Sequence, residues 1–172
     1  MIDLNNLVIP QWLDEFTHSV VFEKLGVLIT FLYSMTPSFI PIPTEYFMWI
    51  LISLQDKTQQ FEYGIMLVII AIIGGFIADF LILIGARNIH RLKKGWKKHE
   101  MKESHFYHKY GLPFFMITPS VSFLLIGLNE GLLIYAGHHH VKLEKILPYL
   151  VIGEIMRGMI GGIILFRFMG LI

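Results

Sequence analysis

The sequence predicts an all-α integral membrane protein built as two inverted repeats, each a re-entrant helical hairpin followed by a transmembrane helix. Three observations predict it. Hydrophobic residues make up 55% of the 172 residues, and the mean hydropathy of +0.62 exceeds what a soluble core of this size absorbs. Two stretches supply the roughly 20 apolar residues that a bilayer crossing needs. Two others are interrupted by proline or polar residues, and the pieces left over are too short to cross.

Residues 1–18 are expected to form an N-terminal interfacial segment, part of a helix over Trp12–Phe22 with Trp12 and Phe16 towards lipid. Asp3, Asp14 and Glu15 precede any apolar run. A cleavable signal would start with basic residues, so insertion is expected to rely on internal segments.

The first repeat is placed at 19–86. Val20–Met35 runs into TPSFIPIPTE and then into the short apolar piece Tyr46–Leu54. Nine residues of helix rise only about 13 Å, half a bilayer. Pro37, Pro41 and Pro43 break the helix by their missing N–H and by restricting the residue before them. A re-entrant turn at Pro41, Pro43 and Thr44 is therefore expected, shielded by protein or lining a wet cavity. The first full span is Gly64–Gly85, interrupted only by Asp79. The second repeat, 111–172, repeats the order: Gly111–Ile126, the break GLNEG, the short piece Leu132–Gly137, then the span Leu147–Met169. One crossing separates the copies, so they enter from opposite faces, an organisation common among transporters. Gly74, Gly75, Gly158, Gly161 and Gly162 in the spans read as packing residues, which let helices approach closely.

Orientation follows from residues 87–110. Eight of the 14 Lys and Arg residues lie there: Arg87, Arg91, Lys93, Lys94, Lys97, Lys98, Lys102 and Lys109. Only Glu100 and Glu103 oppose them. The positive-inside rule makes this loop cytoplasmic, together with His138–Ile146, and leaves Gln55–Tyr63 outside. The expected location is the plasma membrane, with several passes. A juxtamembrane basic cluster of this kind attracts anionic head groups rather than nucleic acid.

Charged groups at membrane depth cost several kcal/mol unless paired or hydrated, so each needs a reason. Thr44 would cap the first short helix and Glu45 follows it; Asn129 would cap the second and Glu130 follows. A carboxylate there can simply complement the helix dipole. With Asp79, Glu45 and Glu130 are the candidates for a proton-coupled transport site. Arg87 and Arg157 are the candidate substrate-binding cations, against plainer readings for each. Glu154 and Arg157, three apart, can neutralise each other, and Arg87, like Arg167, can snorkel from a span end. His105, His108 and His138–His140 lack the spacing of a zinc site, cysteine is absent, and neither a metal nor a cofactor is expected. No nucleophile elbow, P-loop or dinucleotide fingerprint occurs, and the chain is read as a protein other than an enzyme.

PIPTE at 41–45 resembles the Pro-x-Pro-Ser/Thr-Glu of the DedA family, the SNARE-associated or VTT-domain membrane proteins. GGFIADFLILIGAR is similar to that family's glycine-rich helix with an aspartate and, eight residues on, an arginine, here Asp79 and Arg87. KYG at 109–111, AG at 136–137 and Gly153 with Arg157 are similar to its second half. The resemblance implies a transporter or scramblase of a lipid or lipid-linked anion, such as a polyprenyl phosphate or a phospholipid, often linked to the proton motive force. It implies Glu45 and Asp79 as the acidic positions. The chain departs from the family at the second hairpin, where MITPSVSF lacks the flanking arginines and no Lys or Arg lies between Lys109 and Lys142. A non-catalytic subunit of a larger membrane complex, with membrane subunits as partners, is the alternative.

Overall fold

A computed structural model describes residues 19–36, 44–92, 111–121, 128–138 and 141–172. Among these residues the chain forms six helices and no strand: α1 (Val20–Ser34), α2 (Thr44–Ser53), α3 (Gln60–Leu92), α4 (Leu112–Val121), α5 (Leu128–His138) and α6 (Leu143–Phe168). The interfacial segment, Pro41 and Pro43, and most of the basic loop lie outside the described residues.

Local chemistry fixes the helix ends. Ser19 caps α1, its side chain accepting from the Phe22 N–H at 3.2 Å. At the other end Ser34 Oγ donates to the Phe31 carbonyl at 2.8 Å and Thr36 Oγ1 to that of Tyr33 at 2.6 Å. The Phe31 carbonyl also takes the Met35 N–H, whereas the Tyr33 carbonyl, which a continuing helix would have bonded to residue 37, takes the Thr36 N–H and hydroxyl because Pro37 has no N–H to offer. No single helix therefore runs from Val20 to Leu54. The last turn of α6 closes in a Schellman motif. Gly170 has φ 71°, its N–H donates to the Arg167 carbonyl at 3.2 Å, and the Leu171 N–H donates to that of Phe166 at 2.9 Å.

Two helices are long and apolar enough to cross a membrane. At 33 residues, α3 is about 50 Å long. It overruns the expected span at both ends and carries Arg87 inside the helix rather than at the start of a loop. The 26 residues of α6 give about 39 Å. In the second broken pair the helix resumes at Leu128, so most of GLNEG is the first turn of α5 rather than the break.

Packing is organised around α3, which meets α1, α2, α5 and α6, while α4 lies along α6. Two apolar cores result. One joins Met48, Leu51 and Ile52 to Tyr63, Leu67 and Ala71 and to Leu165 and Phe166. The other joins Leu83 to Phe115, Leu133, Ala136, Ile146 and Leu150. The start of α3 thus meets the end of α6 and the reverse, so the two long helices are antiparallel. Their glycines carry the crossing: a Cβ on Gly158 would strike Ile72, one on Gly64 Phe166, and one on Gly75 the Glu154 and Arg157 side chains. Leu28, Leu32, Ile69, Ile73, Ile163 and Ile164 face outwards, each about half exposed.

Candidate functional site

Between the two apolar cores, at the middle of α3 and α6, lies a layer of buried polar groups. Asp79, Thr118, Asn129, Glu130 and Glu154 are all under a tenth exposed. They come from α3, α4, α5 and α6, so only packing of all four helices assembles them. Asp79 is five turns into α3, and its carboxyl is held by Asn129, whose Nδ2 lies 3.0 Å from each of the two oxygens. The Asn129 carbonyl accepts in turn from Thr118 Oγ1 at 3.0 Å. The asparagine expected to cap α5 therefore spends its side chain across the interface, linking α5 to α3 and α4. The reason is energetic: a buried carboxylate without donors costs far more than an uncapped helix N–H.

Glu154 and Arg157 form the ion pair that their spacing suggests, Arg157 Nη2 lying 2.9 Å from Glu154 Oε2. Arg157 also donates to the Ala71 carbonyl at 3.3 Å. The pair fits against α3 only because residue 75 has no side chain. A Cβ on Gly75 would strike Glu154 Oε2, and Asp79 is one turn further along the same face of α3, so the two carboxyls are neighbours across the α3–α6 contact. Its Oε1 is buried with no hydrogen-bond partner among the described residues.

Glu45 stands in the first turn of α2 and is half-buried. A Cβ on Gly161 of α6 would lie 2.7 Å from its Oε1, and its charge is felt by Glu154. Glu130, in the first turn of α5, acts electrostatically on Asp79. Of the three expected carboxylates, Asp79 and Glu130 belong to the buried layer, whereas Glu45, with Thr44 beside it at the start of α2, stands at Gly161, seven residues or about 10 Å along α6 from Glu154.

The two candidate cations do not converge. Arg157 is level with Ala71 and Gly75, whereas Arg87 is twelve residues beyond Gly75, about 18 Å along the helix axis. There its guanidinium donates to the Val141 carbonyl in the link between α5 and α6. Gly137 lets that link close on α3, since a Cβ there would meet Ala86 and the Leu83 carbonyl. Among the described residues no group of three or more His, Asp or Glu side chains is arranged to hold a metal ion.

Sequence reasoning missed Thr118 and Asn129 as members of the layer and took Glu154 only as the neutraliser of Arg157. The available signal was a polar side chain inside an apolar stretch without a local partner, which describes Thr118 in MITPSVSF and Asn129 in IGLNEG. Comparisons with protein-family models, with curated proteins and with solved structures return no match.

Proposed function

We propose that this protein is an integral membrane transporter of the DedA type, moving a lipid or lipid-linked anion between leaflets with protonatable carboxylates at its centre. The observation that carries the reading is the buried layer of Asp79, Asn129, Glu130 and Glu154, with the partly exposed Arg157 paired to it, midway along two helices of membrane-crossing length. A soluble fold gains nothing from removing so many charges from water, whereas intramembrane ionisable groups mark pathways and relays.

The two broken pairs support the same reading. Each of α1–α2 and α4–α5 is followed by one long helix, and the second helix of each pair carries a carboxylate in its first turn, Glu130 in the buried layer and Glu45 beside Gly161 of α6. On this proposal the pairs are re-entrant hairpins of two inverted repeats, with helix ends meeting at mid-membrane. The outward aliphatic faces of α1, α3 and α6 then lie against lipid, and residues 93–110 lie in the cytoplasm of a cell whose plasma membrane holds the protein.

The alternative, a non-catalytic subunit of a membrane complex, draws on one feature: Arg157, the cation of the layer, is already committed to Glu154 and the Ala71 carbonyl. The two are separated by reconstituting the protein into vesicles and following leaflet exchange of a labelled polyprenyl phosphate or phospholipid across several pH values. Transport by the wild type, abolished in folded Glu45→Gln and Asp79→Asn and retained in Arg167→Gln, is the expected result. Wild-type rates from both carboxylate variants overturn the proton-coupled site. A wild type that moves neither lipid, yet leaves its native membrane with stoichiometric partner subunits, establishes the alternative.

A further inference from the structure

The Glu154 carboxyl has no part in the reading of Glu45, Asp79 and Glu130 as the acidic site, yet it is the most deeply buried of the four, at 1% exposure. Its surroundings are specific. One oxygen meets Arg157 at 2.9 Å. The other, Oε1, has no donor among the described residues, and the carboxyl lies against Gly75, one turn before Asp79 on the same face of α3. Asp79 already receives the Asn129 amide on both oxygens. When both carboxyls are ionised, acceptor faces acceptor across the contact between α3 and α6. Arg157 offsets only part of that repulsion, and Glu154 Oε1 is left without a donor among the described residues.

Charge counting leads to the same place. Asp79 and Glu154 contribute −2 and Arg157 contributes +1, leaving −1 on two carboxyls that are 6% and 1% exposed. No other described cation reaches this level. Glu45 from α2 and Glu130 from α5 add negative charge nearby. From α4 the layer receives Thr118, and the buried polar groups of α1 are Thr30 and Ser34, none of which carries charge. An uncompensated buried charge costs several kcal/mol, and one proton removes it.

The geometry points to a proton-binding site formed jointly by Asp79 and Glu154, in which a single proton bridges the two carboxyls across the α3–α6 interface. Asn129 is its positioning residue, holding the Asp79 carboxyl in place from the α5 side while Arg157 balances the one remaining negative charge. Binding or release is a proton transfer only: the carboxylic acid loses its proton to water or to a neighbouring carboxylate, Glu45 or Glu130, and is left as carboxylate. The site deepens the proton-coupled reading by naming the residue that shares the proton with Asp79. The bond it makes ties together the two long helices, so protonation holds them in contact and deprotonation drives them apart.

The test reads protonation directly and needs no transported substrate, so its failure is distinct from a failure of the transport reading. Infrared spectra of the purified full-length chain in lipid nanodiscs are recorded through a pH titration. At neutral pH the wild type is expected to show protonated-carboxyl absorption corresponding to one group per chain. Glu154→Gln and Asp79→Asn should each remove it, because the remaining carboxylate pairs with Arg157 alone; Glu45→Gln and Glu130→Gln should keep it. Asn129→Leu should shift the pH at which the band is lost, which a purely structural role for Asn129 would not do. A wild type without protonated-carboxyl absorption at neutral pH overturns the proposal, whatever the folding of the variants. So does a band that survives both Glu154→Gln and Asp79→Asn, or one that vanishes only in Glu45→Gln or Glu130→Gln.

Discussion

Replacing Arg157 by methionine removes the one described cation in the polar layer while leaving most of the side-chain volume. Glu154 then keeps its place, 1% exposed, without the partner that stands 2.9 Å away. Breaking a buried pair by deleting one member costs about 3–5 kcal/mol. Arg157 keeps 22% of its surface exposed, and that partial hydration puts the expected loss at about 3 kcal/mol. Glu154→Gln is milder, because Arg157 then serves Asp79, whose charge it already feels; about 1 kcal/mol is expected. The double variant strands neither member of the pair and leaves Asp79 to the Asn129 amide, so its loss should fall near 1–2 kcal/mol rather than the sum of roughly 4, giving a coupling of about 2–3 kcal/mol. The assay is reversible unfolding by SDS in mixed micelles, followed by far-UV circular dichroism. Losses additive within about 0.5 kcal/mol would refute the buried-pair argument. A Glu154→Gln variant less stable than Arg157→Met would refute the claim that Asp79 takes over the arginine.

The other predictions test the parts of the layer separately. Asn129→Leu should destabilise by about 1–3 kcal/mol, since it strands Asp79 and the Thr118 hydroxyl together, and adding Thr118→Val should cost little more; two independent full losses in the same unfolding assay would contradict the shared network. Gly75→Ala should lower the melting temperature more than Gly85→Ala, because a Cβ at 75 strikes Glu154 and Arg157 while nothing lies within 4 Å of one at 85; equal melting temperatures would show that α3 and α6 do not cross this closely. For orientation, single cysteines at Gln59 and Lys98 are probed on intact cells with an impermeant thiol reagent. Position 59 should label and 98 should not, and the reverse pattern inverts the topology.

What the sequence determined by itself is local. Hydropathy over consecutive residues marks α3 and α6, because a membrane-length helix needs no partner to be recognised by length and apolarity. Proline chemistry marks the break after α1, since Pro37 acts on its own neighbours. The stretches rich in glycine predict close approach, and Gly75, Gly158 and Gly161 are in contact with the opposite helix or with Glu45. The pairing of Glu154 with Arg157 was legible for the same reason: a spacing of three residues puts both on one helix face.

Only the tertiary structure decided which polar groups meet. Fifty residues separate Asp79 from Asn129, and seventy-five separate it from Glu154, so no local pattern encodes either contact. A cap and a cross-helix donor look identical in sequence; Asn129 serves as the second because α5 docks on α3 with its first turn level with Asp79. Arg87 and Arg157 look equivalent as span arginines, yet the antiparallel register of α3 and α6 puts one in the polar layer and the other on the Val141 carbonyl. The physical reason is one of range: propensity and hydropathy act over a few residues, whereas the partner of a buried charge is set by which helix faces the packing of glycines and aliphatic side chains brings into register.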